Sequence, residues 1–307
     1  MDIQEFYEPW EKEIGSFDDI NAVFTNVFRQ RIAEGRRFAW RGVVDASWPL
    51  HSSLYRRHLL TDAAQDPPDE NSLADLERKL LIEVHRWGLH NGSRGRLSIF
   101  EQLATLQHFG APTRLVDVTM NAYIGLWFAV EEKWGDGEPK YEDTDGRLFA
   151  IDITDRLINE DDDRRGWEDD LSRPWKDLPA TDWCGKTLAW QPPAFEARIA
   201  SQNGAFLFAG VPRTGVGVTW PKQPAAGSGN WGIKDVRRCT SLPLRLHKAE
   251  PEAGGVPAGG QPAYTYRILA AAKQDIRDRL TKMFGYTHRT IYPDYPGFAT
   301  FGMPSLR

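Results

Sequence analysis

The sequence predicts an α+β fold in a single large domain, and two kinds of periodicity support this prediction. Apolar residues recur at helical spacing in several stretches, as in Ile20, Val23, Phe24 and Val27. Between these stretches lie short segments that alternate as strands do, of which RLFAIDI at 147–153 is the clearest. The 307 residues are 41% hydrophobic, which is enough for one large core or two smaller domains, and we expect one.

The N-terminal region, residues 1–35, is expected to contribute a packing helix. Ser16 and Asp19 can cap a helix over 16–35, and Gly35 can end it. Its apolar stripe consists of Ile20, Val23, Phe24, Val27, Phe28 and Ile32.

The segment RRFAWRG, residues 36–42, alternates as a short strand does. Gly42 indicates that the backbone passes close to another element or adopts a conformation that only glycine tolerates. The guanidinium of Arg41 beside it suits a phosphate or carboxylate, which it can hold with two hydrogen bonds. The alternative is a structural salt bridge to Asp117 or Asp45.

Residues 61–71 are expected to form an exposed loop, after which Ser72 and Asp75 can cap a further helix. The stripe of that helix consists of Leu73, Leu76, Leu80, Val84 and Trp87.

The stretch from Ser98 to Glu132 is the first place to look for a functional site. Ser98 and Glu101 have the spacing of a capping box, and Gly110 with Pro112 predicts the end of that helix. A second helix follows, with small residues that allow its backbone to approach a neighbour. Buried polar groups need partners, and the turn between the helices concentrates them: Gln107, His108, Thr113, Arg114, Asp117 and Thr119.

The second half of the chain alternates ordered segments with two loop insertions, near 155–183 and 211–260. Strands are predicted at Ala205–Phe208 and Tyr264–Leu269, and a helix at 273–284 is followed by Gly285 and the turn TIYPDYPGFA. The acidic run Asp161–Asp163 is more typical of a solvated surface than of a metal site, so no metal is expected.

Composition limits the function classes. The formal charge of −5 argues against a mainly electrostatic grip on nucleic acid or anionic membrane, although a local basic groove remains open. No run of 18 apolar residues is present, so no membrane partner is expected. The N-terminus does not resemble a signal peptide, and Cys184 and Cys239 lack metal-ligand spacing. We therefore expect a cytoplasmic protein with free thiols.

Several segments together resemble the FRG domain family, which is named for an aromatic-Arg-Gly motif. Here that motif is Trp40-Arg41-Gly42, followed by WPLHSSLYRR. QHFGAPTRLVDVTMNAYIGLWFAV, RIASQNGAFLFAG and TIYPDYPGFA match further family signatures in the same order. The resemblance places an FRG domain within 36–307, and implies a toxin or phage-defence effector, with an inhibitory or toxin-system protein as one conceivable partner.

A more distant resemblance, to ADP-ribosyltransferases, lies in the order of three features. Arg41 ends a first strand, Thr119 precedes a helix with Phe128-Ala129, and a polar residue, Gln202, opens a later strand. The resemblance implies a mixed or antiparallel split sheet flanked by helices. It also implies NAD or a related nucleotide as the ligand, with an unknown macromolecular acceptor.

The resemblance assigns roles to Arg41, Thr119 and Gln202, and the polar turn between the two helices supplies the other candidates. His108, Thr119 and Gln202 are the catalytic candidates, with Thr119 and Gln202 at the ribose and His108 at the acceptor side. The candidates for cofactor binding are Arg41, Gly42, Gln107, Thr113, Arg114 and Asp117.

The chain departs from the transferase pattern at the later strand, where Gln202 occupies the position of the expected acid. Glu196 or Asp117 would have to supply the carboxylate that stabilises an oxocarbenium-like transition state. A binding module for a nucleotide, a nucleic-acid end or a protein therefore remains the alternative. Structural alternatives also stay open: Arg114 pairing with Asp117, Thr119 capping the next helix, and His108 capping the preceding one.

Overall fold

A computed structural model describes residues 2–61, 66–93, 95–193, 196–225, 227–248 and 262–303 of the chain. Within these ranges the α-helices are α1 (Ile3–Tyr7), α2 (Phe17–Ala22), α3 (Arg29–Ala33), α4 (Ser53–Thr61), α5 (Glu70–Arg86), α6 (Ile99–His108), α7 (Ala122–Val130), α8 (Ala180–Trp183), α9 (Ala197–Ser201), α10 (Ile233–Cys239), α11 (Lys273–Phe284), α12 (His288–Ile291) and α13 (Tyr295–Phe301). The strands are β1 (Lys12–Ile14), β2 (Phe38–Val43), β3 (Asn91–Gly92), β4 (Gly95–Arg96), β5 (Val116–Thr119), β6 (Lys133–Gly135), β7 (Glu138–Lys140), β8 (Gly146–Asp152), β9 (Leu188–Trp190), β10 (Gly204–Phe208), β11 (Arg245–Leu246) and β12 (Pro262–Ile268).

One mixed sheet organises the molecule, in the order β1-β12-β8-β2-β5-β10-β9, with β11 also paired to β12. Strands β1 and β11 run parallel to β12, and the other neighbours are antiparallel. Strands β3 and β4 form a separate pair, as do β6 and β7. The prediction of a mixed α+β fold with a sheet flanked by helices is confirmed.

The sheet is open between β2 and β5. Strand β2 pairs with β8 at six positions, but it meets β5 at a single pair, Trp40 with Thr119. Beyond that pair the guanidinium of Arg41 joins the two strands, with Nη1 donating to the carbonyl oxygen of Asp117 at 2.6 Å. At this opening Arg41 of β2 is partly accessible to solvent and Asp117 of β5 is exposed.

Hydrophobic cores cover both faces of this sheet. On one face, Phe28, Trp40 and Tyr266 pack with α2, α7 and α11. On the other, Phe100 of α6 and Phe149 of β8 belong to a larger core. Strand β8 is buried along its whole length because it lies between these two layers.

Gly42 is required by the close approach of α7 to β2. A Cβ atom at Gly42 would lie 2.1 Å from the carbonyl oxygen of Gly125 and 2.4 Å from the amide nitrogen of Ala129. A Cβ atom at Gly125 would in turn lie 2.6 Å from that of Trp40. The predicted close approach is confirmed, and the small residues of α7 are what permit it.

The predicted helix over 16–35 is confirmed in extent. Ser16 accepts a hydrogen bond from the amide of Asp19, and Gly35 ends the helix at a φ of 81°. Residues Val23–Phe28 are π-helical, which adds residues to each turn and rotates the following turn. Ile32 is 60% exposed as a result, so its place in the buried stripe is wrong. Strand β1, which the sequence reading missed, joins this region to the main sheet.

Helix α5 begins earlier than predicted, and its buried face matches the predicted stripe only at Leu73 and Val84. Its N-cap is Asp69, which accepts from the amide of Ser72. Trp87 is 77% exposed, so the predicted stripe is wrong at that end. The face turned inward consists of the predicted Leu73 and Val84 together with Glu77 and Leu81. A buried carboxylate in that stripe was not anticipated, and its partner is described below.

The helices of the central stretch follow the sequence prediction more closely. Both halves of the Ser98–Glu101 capping box are formed, and Gly110 adopts a φ of 83° at the end of α6. The N-cap of α7 is Asn121, whose side chain accepts from the amides of Tyr123 and Ile124. The alternative in which Thr119 caps that helix is therefore wrong.

The two expected insertions are more ordered than predicted. Residues 155–183 contain the 3₁₀ segments Ile158–Glu160, Arg165–Asp169 and Pro174–Asp177. Trp175 and Trp183 are buried, so this is not only a surface loop. In the second insertion, α10 is helical and β11 joins the sheet, whereas 249–261 lie outside the described residues.

The C-terminal segment was misread as a turn. Helix α11 has the predicted bounds, and Gly285 ends it at a φ of 71°. TIYPDYPGFA then forms most of α12 and α13 instead of a turn, because Thr287 and Asp294 supply N-caps. Across the described ranges, no helix has both the length and the apolarity that crossing a bilayer would require.

Candidate functional site

A cavity of about 620 Å³ lies at the opening between β2 and β5. Segments distant in sequence contribute its wall: β2 and β5, the end of α6, α9 with the start of β10, and the C-terminal segment. Predicted site residues that line it are Arg41, Gly42, Gln107, His108, Asp117, Thr119 and Gln202. Its volume lies within the range typical of small-molecule sites.

Arg41 places a guanidinium in this wall without a carboxylate bonded to it. Among the described residues, its guanidinium donates to the carbonyl oxygen of Asp117 and forms no salt bridge. Burial lowers the pKa of Arg41, the Asp117 carboxylate opposes that effect, and repulsion from Arg56 adds to it. Neither predicted salt bridge, to Asp117 or to Asp45, is formed. The guanidinium keeps most of its donors for a ligand.

Carboxylates line the same cavity. Glu131, at the end of α7, is buried, contacts Lys133 and accepts from the Tyr292 hydroxyl at 3.0 Å, so its charge is compensated. Asp117 and Glu196 have no cation within salt-bridge distance in the described part of the chain. Glu196, the carboxylate that the sequence offers as a substitute for the missing acid, is among the residues that line the cavity.

Thr119 and Gln202 connect β5 to the turn before β10. The Thr119 hydroxyl donates to the carbonyl oxygen of Gln202 at 2.6 Å and accepts from the amide of Asn121 at 3.0 Å. The Gln202 side-chain nitrogen donates to the carbonyl oxygen of Ile291 at 3.1 Å. Because the hydroxyl proton of Thr119 is already used, this residue can offer a ligand only an acceptor.

Gln107 and His108 come from the last turn of α6. The side-chain oxygen of Gln107 accepts from the hydroxyl of Thr113, which leaves the amide NH₂ as a donor. His108 is half-buried in the cavity wall, and its ring contacts that of Phe109 edge-on at 4.9 Å. Thr113 is itself fully buried outside the cavity, so its contribution is to orient Gln107.

Arg114 lies elsewhere, in a buried ion network. Its Nε is 2.9 Å from Glu77 and its Nη1 is 3.0 Å from Glu70. Burial opposes its charge, but Glu77 and Glu70 outweigh burial and raise the pKa of Arg114. Trp175 and Trp183 donate their indole N–H groups to the same two carboxylates. The structure therefore separates Arg114 from the residues of the cavity, and Arg114 does not pair with Asp117.

The C-terminal segment forms a side of the cavity that sequence reasoning missed. Arg198 donates two hydrogen bonds to Asp294, at 2.6 and 2.7 Å, and lies over the ring of Tyr292. The pKa of Asp294 is lowered overall. Burial alone would raise it, but the hydrogen bonds from Arg198 and the Gly297 amide outweigh burial, and His108 adds a smaller lowering effect. The YPDYPG spacing gave no hint of this contact, because it depends on α9 and α13 meeting in space.

No group of three potential ligands suitable for a metal ion occurs in the described ranges. The carboxylate of Asp161 accepts hydrogen bonds from the backbone amides of Asp163 and Arg164 and from the guanidinium of Arg164. Cys184 and Cys239 are buried, free thiols, and burial raises their pKa to about 11 and about 12.

Comparison with known proteins gives one similarity. The family model of the FRG domain matches residues 36–137, about a third of the chain, which includes β2, α6, β5 and α7. No curated protein and no solved structure matches the chain. The similarity supports the FRG family for this segment, and the resemblance to ADP-ribosyltransferases stays a prediction.

Proposed function

We propose that the cavity beside this FRG domain segment binds NAD or a related nucleotide and breaks its nicotinamide glycosidic bond. The observation that carries this proposal is the guanidinium of Arg41, which lines a ligand-sized cavity without a bonded carboxylate. A guanidinium can hold a phosphate with two hydrogen bonds, so Arg41 suits the diphosphate of NAD. The predicted roles of Thr119 and Gln202 at the ribose, and of His108 and Gln107 at the acceptor, belong to this proposal.

The reaction needs a carboxylate where positive charge develops. As the bond between ribose C1′ and nicotinamide breaks, its electron pair leaves with nicotinamide and C1′ becomes cationic. Water or an acceptor nucleophile then forms a new bond to C1′ and releases a proton. Asp117 is the less suitable carboxylate because it already stabilises the positive charge of Arg41, whose pKa it raises. We therefore assign the stabilising role to Glu196.

The test is incubation of the protein with NAD, with and without cell lysate. We expect released nicotinamide, or ADP-ribose on a macromolecule, from the unaltered chain and neither from the Glu196→Gln variant. Glu138→Gln, an exposed carboxylate outside the cavity, is the control and should retain activity. Absence of both products from the unaltered chain would remove the enzyme proposal.

A non-catalytic binding module is the second candidate, and one observation favours it. The Thr119 hydroxyl proton is engaged by Gln202, so a donor expected at the ribose is occupied. In that case calorimetry would show binding of NAD without any turnover. A toxin or phage-defence role rests on the family resemblance, and growth arrest on expression would test it.

A further inference from the structure

A cationic rim lies at the edge of the cavity, and of its residues only His108 has a role in the proposed reaction. We define it by four residues: Arg56, Arg57, His108 and Phe109. Arg56 and His108 line the cavity, while Arg57 donates to the carbonyl oxygen of Gly110 at 2.8 Å. Gly110 directly follows Phe109, whose side chain is 73% exposed.

The charge of the cationic rim is not compensated locally. Within the described ranges, neither Arg56 nor Arg57 forms a salt bridge, and both are exposed. Arg56 is close enough to Arg41 to lower the pKa of Arg41 by repulsion. This occurs in a chain whose formal charge is −5, which makes the rim a local feature.

Exposed guanidinium groups beside an exposed aromatic ring match one class of macromolecule. Single-stranded nucleic acid carries phosphates at a regular spacing and bases that stack on aromatic side chains. A duplex hides its base faces, and an acidic protein segment has no planar ring in each repeat. The rim thus complements both the charge and the rings of a single strand.

We infer that the cationic rim binds single-stranded nucleic acid, with phosphates at Arg56 and Arg57 and a base on Phe109. This inference rests on the proposed function, in which the strand would be the acceptor presented to the cavity. The contacts engage phosphate and base rather than sugar, so binding should depend little on sequence.

The experiment is fluorescence anisotropy of a short labelled oligo(dT) titrated with the full chain. We expect binding that weakens with salt, with a slope of log K against log[salt] of roughly −1.4 for two phosphate contacts. Phe109→Ala should weaken binding by about tenfold, and Arg57→Ala should reduce the slope by roughly 0.7. Lys282→Ala and Met283→Ala, two exposed positions on α11, are controls that should bind as the unaltered chain does.

Three outcomes would overturn the inference: no binding of oligo(dT), equal binding of a duplex of the same length, or equal competition by poly-glutamate. The last would indicate an acidic protein instead. Calorimetry with NAD separates this inference from the proposed function. Neither Arg57 nor Phe109 lines the cavity, so NAD should bind both variants normally. Weaker oligonucleotide binding by these two variants, with unchanged NAD binding, supports the inference about the rim. If NAD binds to no form of the protein, only the proposed function is contradicted.

Discussion

Arg41 and Arg114 belong to the same FRG-matched segment, yet their surroundings are opposite. Arg114 is fully buried and bonded to the carboxylates of Glu77 and Glu70, which raise its pKa. Arg41 lines a cavity, bonds one carbonyl oxygen, and has its pKa lowered by burial. A guanidinium with compensated charge and occupied donors holds the fold together. One that is only partly bonded is available to a ligand.

The largest expected effect comes from breaking the Arg114 network. Glu77→Gln should lower the free energy of unfolding by about 3–5 kcal/mol, because it leaves a buried guanidinium with less compensation. Urea denaturation measures this change. Glu83→Gln, on the exposed side of the same helix, should change stability little. If Glu77→Gln were as stable as the unaltered chain, the structural role of Arg114 would be refuted.

Replacing Arg41 should give the converse result. Arg41→Ala should change stability little, because the residue contributes one hydrogen bond and its charge is opposed by burial. Binding of NAD should weaken by roughly tenfold or more, the usual loss for a charged hydrogen bond of about 1.5–3 kcal/mol. Arg86→Ala, an exposed arginine on α5, is the matched control. Unchanged affinity in calorimetry of Arg41→Ala would count against the transferase and the binding module together.

The smallest expected effect concerns Lys273, a second cation bonded to backbone carbonyl oxygens. It is buried and donates to the carbonyl oxygens of Val44 and Tyr141, as Arg41 does to one carbonyl, and burial lowers its pKa to about 8. Unfolded lysine keeps its proton to about pH 10.4, so between these values the unfolded chain binds more protons. The free energy of unfolding should therefore include a stabilising contribution that grows as the pH rises from about 8 to about 10.4. Lys273→Met should lack that contribution in urea denaturation at a series of pH values, and an identical pH profile would contradict it.

Local signals gave much of the secondary structure. Capping and stop residues act over one turn, so the Ser98–Glu101 box, Gly110 and the bounds of 273–284 could be predicted from the residues alone. Gly42 could be predicted as a close approach because its neighbours already suggested a strand. Errors concentrate where a distant partner decides burial, as for Glu77, whose carboxylate is buried because Arg114 meets it.

The sequence by itself determined the helices of the central stretch, the aromatic-Arg-Gly motif and a set of polar candidates around it. Only the tertiary structure decided which candidates face one cavity. Arg41, His108 and Gln202 meet there because β2, α6 and the start of β10 converge where the sheet opens, whereas Arg114 turns into the core. The physical reason is that the charge state and free donors of a side chain depend on contacts between elements far apart in the chain.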